Sequence, residues 1–207
     1  MQHGAPVGRV LGDQAHARRV ELVLDLGRPH VLGLSFGGGL ALELFSRHPA
    51  LPLSLVLAAA YAGWAGSLPA EGLEERLRQA LRLADLPPDR LVEELLPSMF
   101  TDSAPAELVE EFSRSMREFH PAGLRASSRA FAAADLRDVL PTVNVPTLLL
   151  YGDEDLRAPS NVPHDLHHEI PGSKLVFIPG GGHVCNIDAP ERFNSEVRAF
   201  LGSALAD

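Results

Sequence analysis

Residues 30–39 read His-Val-Leu-Gly-Leu-Ser-Phe-Gly-Gly-Gly, so a glycine lies two positions before and two positions after Ser35. An apolar run precedes this serine, and a stretch with helical spacing follows it. The G-x-S-x-G pattern between a strand and a helix indicates a nucleophile elbow, a sharp turn that holds the serine hydroxyl clear of the sheet. We expect Gly33 and Gly37 to be required there, because a Cβ at either position would collide with neighbouring backbone.

A serine hydroxyl is a weak nucleophile without a base, so this pattern predicts an acid and a histidine further along the chain. Residues 145–152 are apolar and predict a buried strand, which ends in a turn with three carboxylates at 153–155. Residues 174–179 predict another strand, and three glycines then lead to His183. We expect these glycines to let the loop fold closely over Ser35. All these polar groups would follow the C-terminal ends of parallel strands, where such sheets place active sites.

These features resemble the α/β-hydrolase superfamily, in particular its members with a serine nucleophile and a helical cap. The resemblance covers the chain from about residue 14 to the C-terminus and rests on residues 33–38, 146–155, 180–183 and 189–194. It implies that Ser35 is the nucleophile and that His183 is the general base and then the general acid. It also implies that Asp155, the third residue after the strand's last glycine, orients the imidazole. Asp153 is the alternative acid, and a turn or capping role is its other interpretation.

The resemblance implies a hydrolase that acts on a small to medium carboxylic ester or lactone through an acyl-enzyme. The amide of Phe36, at the start of the helix after the elbow, is predicted to stabilise the oxyanion. Serine at the elbow argues against the relatives that carry aspartate there, such as dehalogenases and epoxide hydrolases. The resemblance leaves open the relatives with the same triad that cleave carbon–carbon bonds or act as cofactor-free peroxidases. We expect no cofactor and no metal, and a small-molecule ester-like substrate as the partner.

The N-terminal part departs from the family pattern. Relatives carry several more strands before the helix that precedes the elbow, and a His-Gly loop among them supplies the other oxyanion-hole amide. Here 34 residues precede Ser35, and residues 13–26 have helical spacing. We interpret His3-Gly4 as a coincidence. The chain is then a fragment, a minimal variant that completes its sheet with another copy, or a protein whose missing strands come from a separate chain.

Without the early strands, the strand at residues 30–34 would be an exposed apolar edge, so we expect a homo-oligomer formed through this edge. Loss of one oxyanion donor would lower turnover by about 10²–10³-fold. The alternative function is therefore a catalytically weak or inactive remnant that serves as a binding or assembly module. A second backbone N–H about 3 Å from the oxyanion, from residues 1–12 or another subunit, would favour the enzyme.

The composition favours one globular domain, because 45% of the 207 residues are hydrophobic. A net charge of −9 disfavours nucleic acid and anionic membrane surfaces as partners. The sequence has no apolar stretch typical of a signal peptide or a membrane span, and its one cysteine fits a reducing compartment, so we expect a cytoplasmic protein. We interpret that cysteine, Cys185, as a small buried residue rather than a thiol catalyst.

The spacing of apolar residues predicts an α/β fold, a mostly parallel sheet of about four strands flanked by helices. The predicted strands are 30–34, 53–59, 146–151 and 174–178, and the helices that flank them are 13–26, 37–47, 160–169 and 190–203. Residues 1–60 and 143–207 would form the core, and residues 61–142 a helical cap. The cap helices are predicted at about 70–84, 88–97, 105–118 and 121–134.

Trp64 is the best single candidate for a substrate contact, because it lies just past a strand end on the catalytic face. The other large apolar residues of the cap are interpreted first as helix packing: Met99, Phe100, Met116, Phe119 and Phe131. Five arginines interleave with glutamates at helical spacing and predict an exposed, salt-bridged face: Arg76, Arg78, Arg82, Arg114 and Arg117. Three histidines share a helix face with metal-ligand spacing, but their polar surroundings favour a solvated helix: His164, His167 and His168.

Overall fold

The computed structural model describes residues 27–204. Four strands form one parallel sheet in the order β1-β2-β3-β4, with bounds His30–Leu34, Ser54–Ala58, Thr147–Gly152 and Lys174–Ile178. The prediction of a parallel four-stranded sheet flanked by helices is confirmed. The predicted helix at 13–26, the His3-Gly4 pair and a second oxyanion donor from residues 1–12 lie outside the described residues.

Helices connect the strands, and most of them lie close to their predicted bounds. In chain order they are α1 (Phe36–Arg47), α2 (Ala70–Leu83), α3 (Pro88–Leu95), α4 (Ala106–Arg117), α5 (Pro121–Ala133), α6 (Asn161–Glu169), α7 (Cys185–Asp188) and α8 (Pro190–Ala204). Helices α2 to α5 lie in the insertion between β2 and β3. The short helix α7 and the 3₁₀ turns Leu96–Ser98 and Arg137–Thr142 were not predicted, because segments of three to six residues carry no readable helical period.

The central strands are buried on both faces, which explains their unbroken apolar sequence. All five residues of β2 are buried, and alternate side chains point to opposite sides. Leu55 and Leu57 pack in one cluster with residues of α1 and α6. Val56 and Ala58 pack in a second cluster with Phe193 of α8. The sheet thus lies between two layers of helices, so polar functional groups are expected beyond the ends of its strands.

The strand register brings the C-terminal ends of the strands together. Leu34 at the end of β1 is opposite Ala58 of β2, and Gly152 at the end of β3 is opposite Ile178 of β4. The residues that follow β1, β3 and β4 therefore lie close together at the C-terminal end of the sheet.

Strand β1 is an outer strand of the described sheet, and Leu32 in it is 50% exposed. Assembly into a homo-oligomer through this edge stays a prediction. Within residues 27–204, no helix is long and apolar enough to cross a bilayer.

Candidate active site

Ser35 occupies a strained turn between β1 and α1. Its φ of 52° and ψ of −112° lie in a region that a residue with a side chain rarely adopts. The turn is held because the Ser35 N–H donates to the Ala58 carbonyl at 2.7 Å, while its own carbonyl accepts from Gly38 at 3.0 Å. A serine before a helix commonly caps it, but the Ser35 side chain makes no capping hydrogen bond. The hydroxyl is therefore available for another partner.

Of the two glycines that the motif specifies, only Gly33 is sterically required. A Cβ on Gly33 would lie 2.1 Å from the Gly37 carbonyl oxygen and 2.6 Å from the Gly38 nitrogen. A Cβ on Gly37 would meet no atom within 4 Å, so the expectation that both glycines are sterically required is wrong for Gly37. The contact is one-sided because Gly37 contributes its carbonyl to it, and its own Cα hydrogens face open space. Gly38, which the motif does not specify, is also crowded, since its Cβ would lie 2.4 Å from that of Ala60.

Gly33→Ala is expected to lower the free energy of unfolding by about 2–3 kcal/mol, because the new methyl group must displace backbone. The matched variant Gly37→Ala is expected to change it by at most about 1 kcal/mol, since a helical alanine fits there. Equilibrium unfolding in urea measures both. Equal destabilisation by the two variants would contradict this description of the elbow.

Three predicted residues from three different strand ends meet in one chain of hydrogen bonds. The Ser35 Oγ lies 2.8 Å from His183 Nε2, and His183 Nδ1 lies 2.9 Å and 3.1 Å from the two oxygens of Asp155. An ionised carboxylate only accepts, so Nδ1 carries the proton that bonds Asp155. Nε2 of the neutral ring is then the acceptor for the Ser35 hydroxyl. This arrangement can withdraw the serine proton when the oxygen attacks an electrophile.

The loop after β3 distinguishes the two aspartates that the sequence left open. The Oδ1 atom of Asp155 also accepts from the N–H groups of Arg157 at 2.7 Å and Ala158 at 3.0 Å. Asp153 points elsewhere, and its side chain accepts from the Gly180 N–H at 2.7 Å. Asp155 thus contacts the histidine, and Asp153 ties its own turn to the loop after β4.

The loop that carries His183 packs directly on the end of β3. A Cβ on Gly152 would lie 2.0 Å from the carbonyl oxygen of Gly181, so the two backbones touch. The Glu154 N–H donates to the same carbonyl at 2.9 Å. The glycines before His183 do allow a tight loop, but it folds onto the strand end that carries Asp155. This contact fixes the separation of the acid and the histidine.

Asp188 fastens the same loop to the insertion. Its buried carboxylate accepts from the Gly182 N–H at 2.8 Å and from the Thr101 N–H at 3.0 Å. The Met99 carbonyl accepts from the Val184 N–H at 3.1 Å. Asp188 was not predicted as a site residue, because its hydrogen bonds join two segments that are far apart in the chain.

Burial controls the protonation of the histidine. His183 is 2% exposed, and this burial lowers its pKa below the usual 6.5, although the hydrogen bond and charge of Asp155 act in the opposite direction. Burial would raise the pKa of Asp155, but the hydrogen bond and charge of His183 and the two backbone amides outweigh it, so this pKa is lowered. The geometry therefore favours a neutral imidazole beside an ionised carboxylate at neutral pH.

The acid limb of the pH profile of kcat/KM is expected to have its midpoint below pH 6.5. A histidine that acts as general base must be neutral, and the lowered pKa of His183 keeps it neutral at a lower pH than a free histidine. Initial rates with p-nitrophenyl butyrate between pH 4.5 and 8, with circular dichroism at each pH to verify folding, measure this midpoint. A midpoint above 6.5 in folded protein would contradict the stated effect of burial.

The N–H of Phe36 is available beside the serine. It is the first residue of α1, where backbone N–H groups have no partner in the helix. Within residues 27–204 this N–H has no acceptor. Its position at a helix N-terminus also favours negative charge. Phe36 thus offers one of the donors that an oxyanion needs.

A cavity of about 380 Å³ opens onto Ser35, between the strand ends and the insertion. Five of the six large apolar residues predicted in the insertion line it: Trp64, Met99, Met116, Phe119 and Phe131. Phe100 instead packs on Phe112 edge to face, with ring centroids 5.0 Å apart. A larger groove of about 700 Å³ lies beside α6 and touches none of Ser35, Asp155 and His183. Of these two, the smaller cavity is therefore the one that adjoins the Ser35 hydroxyl.

Two arginines that line this cavity were not predicted as site residues. Arg76 of α2 was expected on an exposed, salt-bridged face, but it lies in the cavity wall and forms no ion pair within the described residues. Arg157 lines the cavity from the loop after Asp155. The prediction holds for Arg78, Arg82 and Arg117, which pair with glutamate or aspartate. The sequence signal that could have set Arg76 apart is the lack of an acidic residue three or four positions away, where Arg78 has Glu75 and Glu74.

The remaining candidates have ordinary partners. Cys185 is buried, and burial raises the pKa of its thiol to about 12, so it is protonated at neutral pH. His164 contacts Phe177, His167 lies 2.9 Å from the Ser173 hydroxyl, and His168 pairs with Glu169. The part of the chain that the structure describes contains no group of three or more metal-ligating side chains.

The comparison with known families agrees with this arrangement. A sequence profile of the alpha/beta hydrolase family matches residues 3–196, so the chain belongs to the α/β-hydrolase family.

Individual relatives are similar along most of the chain. YisY, an AB hydrolase superfamily protein of Bacillus subtilis, is 29% identical over 90% of this chain and 71% of its own length. A pimeloyl-[acyl-carrier protein] methyl ester esterase of Neisseria meningitidis is 27% identical, over 98% of this chain and 66% of its own length. The structure of a thermophilic esterase from Thermogutta terrifontis, with malate bound, superposes with a TM-score of 0.78 at 27% identity. It covers 89% of this chain, which spans 69% of the esterase. The relatives support hydrolase activity in general.

Proposed function

We propose that the protein hydrolyses a small to medium carboxylic ester or lactone through a Ser-His-Asp triad. The observation that carries the proposal is the continuous hydrogen-bond chain from Ser35 through His183 to Asp155. Two relatives, the Neisseria and Thermogutta proteins, are named as esterases, which supports the ester as the substrate class.

The first half-reaction forms an acyl-enzyme. Ser35 Oγ attacks the carbonyl carbon while His183 Nε2 takes the hydroxyl proton, and Asp155 stabilises the imidazolium. The carbonyl oxygen becomes an oxyanion, which the Phe36 N–H stabilises. When the tetrahedral intermediate collapses, the bond to the leaving alkoxide breaks and His183 returns the proton to it. The alcohol leaves, and the acyl group remains on Ser35.

The second half-reaction uses the same groups on water. His183 takes a proton from a water molecule, whose oxygen attacks the acyl carbon. Collapse of the second intermediate breaks the bond to Ser35 Oγ, and His183 protonates that oxygen. The carboxylic acid leaves and the enzyme is restored without any cofactor.

The cavity supports the size and polarity of the substrate. Its volume of about 380 Å³ and its apolar walls suit a short to medium acyl or alcohol group. We propose that residues 61–142 form a cap domain over a core of residues 1–60 and 143–207. Trp64, which is 8% exposed and packs against Phe131 with ring centroids 5.6 Å apart, is proposed to contact the substrate.

A burst assay with p-nitrophenyl butyrate tests the proposal. Wild-type protein is expected to release about one equivalent of p-nitrophenol rapidly and then to turn over slowly, because deacylation of such activated esters is slow. Ser35→Ala at a matched oligomeric state is expected to show no burst. Equal rates in the two proteins would refute the proposed hydrolase and favour a binding or assembly module.

A further inference from the structure

Arg76 and Arg157 place two guanidinium groups in the wall of the cavity that opens onto Ser35. Arg76 Nη1 donates to the Tyr61 hydroxyl at 2.9 Å, and its Nη2 donates to the Arg157 carbonyl at 2.6 Å. Arg157 Nη1 donates to the Ser98 hydroxyl at 2.9 Å. Most N–H donors of the two groups thus have no protein acceptor within residues 27–204.

The other arginines of residues 27–204 either pair with a carboxylate or are exposed to solvent. Carboxylates lie within ion-pair distance of eight of them: Arg47, Arg78, Arg82, Arg90, Arg117, Arg125, Arg137 and Arg192. Four more have no such partner but are exposed to solvent: Arg28, Arg114, Arg129 and Arg198. Arg76 and Arg157 are the partly buried arginines of residues 27–204 for which no ion pair forms.

Two cations beside each other in an apolar cavity are unfavourable without an anion. Burial, followed by the charge of Arg76, lowers the pKa of Arg157. Asp155, the carboxylate whose charge favours Arg157, already accepts from His183 and from two backbone amides. Asp155 supplies one negative charge against two guanidinium charges, so the site keeps a net positive charge that an anion could balance.

The Arg76 guanidinium is also held in a defined orientation. Its central carbon lies 5.7 Å from the ring centroid of Tyr61 and 5.8 Å from that of Trp64, so two aromatic rings stabilise the cation. The Tyr61 hydroxyl is fixed in turn, because it donates to the Arg157 carbonyl at 2.7 Å. A planar group held in this way is prepared to bind a carboxylate through two parallel hydrogen bonds.

We propose that Arg76 and Arg157 bind a carboxylate of the substrate, so that the ester cleaved at Ser35 is an anionic one, such as the monoester of a dicarboxylic acid. This inference rests on the proposed function and narrows its substrate class. The apolar walls between the arginines and the elbow would contact the aliphatic part of such a substrate.

A purely structural role is the other interpretation of these arginines. The hydrogen bond from Arg76 to the Arg157 carbonyl joins α2 to the loop after β3, and it would hold the insertion in place with no substrate bound. That role uses few of the available donors and needs no particular substrate charge. The two roles therefore differ in one measurable quantity, the preference for an anionic ester over a neutral one.

The test compares the mono-p-nitrophenyl ester of adipic acid with p-nitrophenyl hexanoate, which has the same chain length and no charge. Wild-type protein is expected to prefer the anionic ester by at least about 10-fold in kcat/KM, mainly through KM. Arg76→Gln and Arg157→Gln are each expected to lower this ratio by about 10-fold, and Arg76→Lys to restore part of it. The matched control is Arg129→Gln, an exposed arginine of α5 outside the cavity, which is expected to keep the ratio.

Adipate binding to Ser35→Ala, measured by calorimetry, separates this proposal from the proposed function. If wild-type protein hydrolyses neither ester, the proposed function fails, and adipate binding then decides the role of the arginines. Adipate bound by Ser35→Ala, and bound about 10-fold more weakly after the further change Arg76→Gln, is the expected result. An unchanged ratio of the two esters in both arginine variants, or no adipate binding to Ser35→Ala, would overturn the proposal.

Discussion

Replacing His183 with alanine is expected to lower kcat for p-nitrophenyl butyrate by about 10⁴- to 10⁶-fold. The Ser35 hydroxyl has His183 Nε2 as its hydrogen-bond partner at 2.8 Å, and no histidine among residues 27–204 lines the cavity. Without this base the hydroxyl keeps its proton, and the departing alkoxide receives none. The activity that remains comes from the oxyanion donor and from substrate binding alone. Stopped-flow and steady-state assays with purified variants measure the loss.

His164→Ala is the matched control for this variant. His164 lies on α6 against Phe177, outside the cavity, and its loss is expected to leave kcat within about 2-fold. Urea unfolding of both variants verifies that they are folded. A His183→Ala protein that is folded and keeps more than about one tenth of wild-type kcat would contradict the role of the histidine.

Asp155→Asn is expected to lower kcat by about 10⁴-fold with little change in the backbone. Asp155 Oδ2 lies 2.9 Å from His183 Nδ1, so the carboxylate keeps the proton on Nδ1 and would stabilise the imidazolium. An asparagine side chain has no negative charge, and its NH₂ group can favour the other tautomer of the imidazole. The two backbone amides that Asp155 accepts from are expected to keep the asparagine in place. The assay is again the hydrolysis of p-nitrophenyl butyrate under saturating conditions.

Asp153→Asn makes the same chemical change two residues earlier in the same turn. Its carbonyl oxygen can still accept from the Gly180 N–H, so kcat is expected to stay within about 3-fold of wild type. A larger loss from Asp153→Asn than from Asp155→Asn would reverse the assignment of the acid. The pair thus decides between the alternatives that the sequence left open.

The sequence was sufficient for the elements whose signals are local. Continuous apolar runs between turns predicted all four strands, because buried parallel strands have no polar face. Proline breaks predicted the four helices of the insertion to within a few residues. The order of serine, acid and histidine indicated Ser35, a carboxylate in the turn 153–155 and His183. The resemblance to α/β hydrolases singled out Asp155, and the fold brings the three residues together at the C-terminal end of the sheet. Their catalytic roles stay predictions until the variants are measured.

The sequence was insufficient wherever a property depends on which helix face meets the cavity. Arg78 has Glu74 and Glu75 four and three positions before it, whereas Arg76 has no acidic residue at that spacing. This difference alone does not say that Arg76 faces the cavity. Its burial follows from the way α2 packs against α5 and covers Tyr61, which no local spacing encodes. The prediction that Gly37 is sterically required was wrong for a related reason. A sequence motif does not say which of two residues in close contact needs to be a glycine.

The proposed mechanism requires a covalent bond between the substrate acyl group and Ser35 Oγ, and peptide mass spectrometry can observe that bond. Protein mixed with p-nitrophenyl butyrate and quenched in acid during the burst is expected to carry one butyryl group on the peptide that contains Ser35. Ser35→Ala treated in the same way is expected to carry none. A butyryl group on another residue, or turnover by wild-type protein with no acyl adduct on Ser35, would contradict the mechanism.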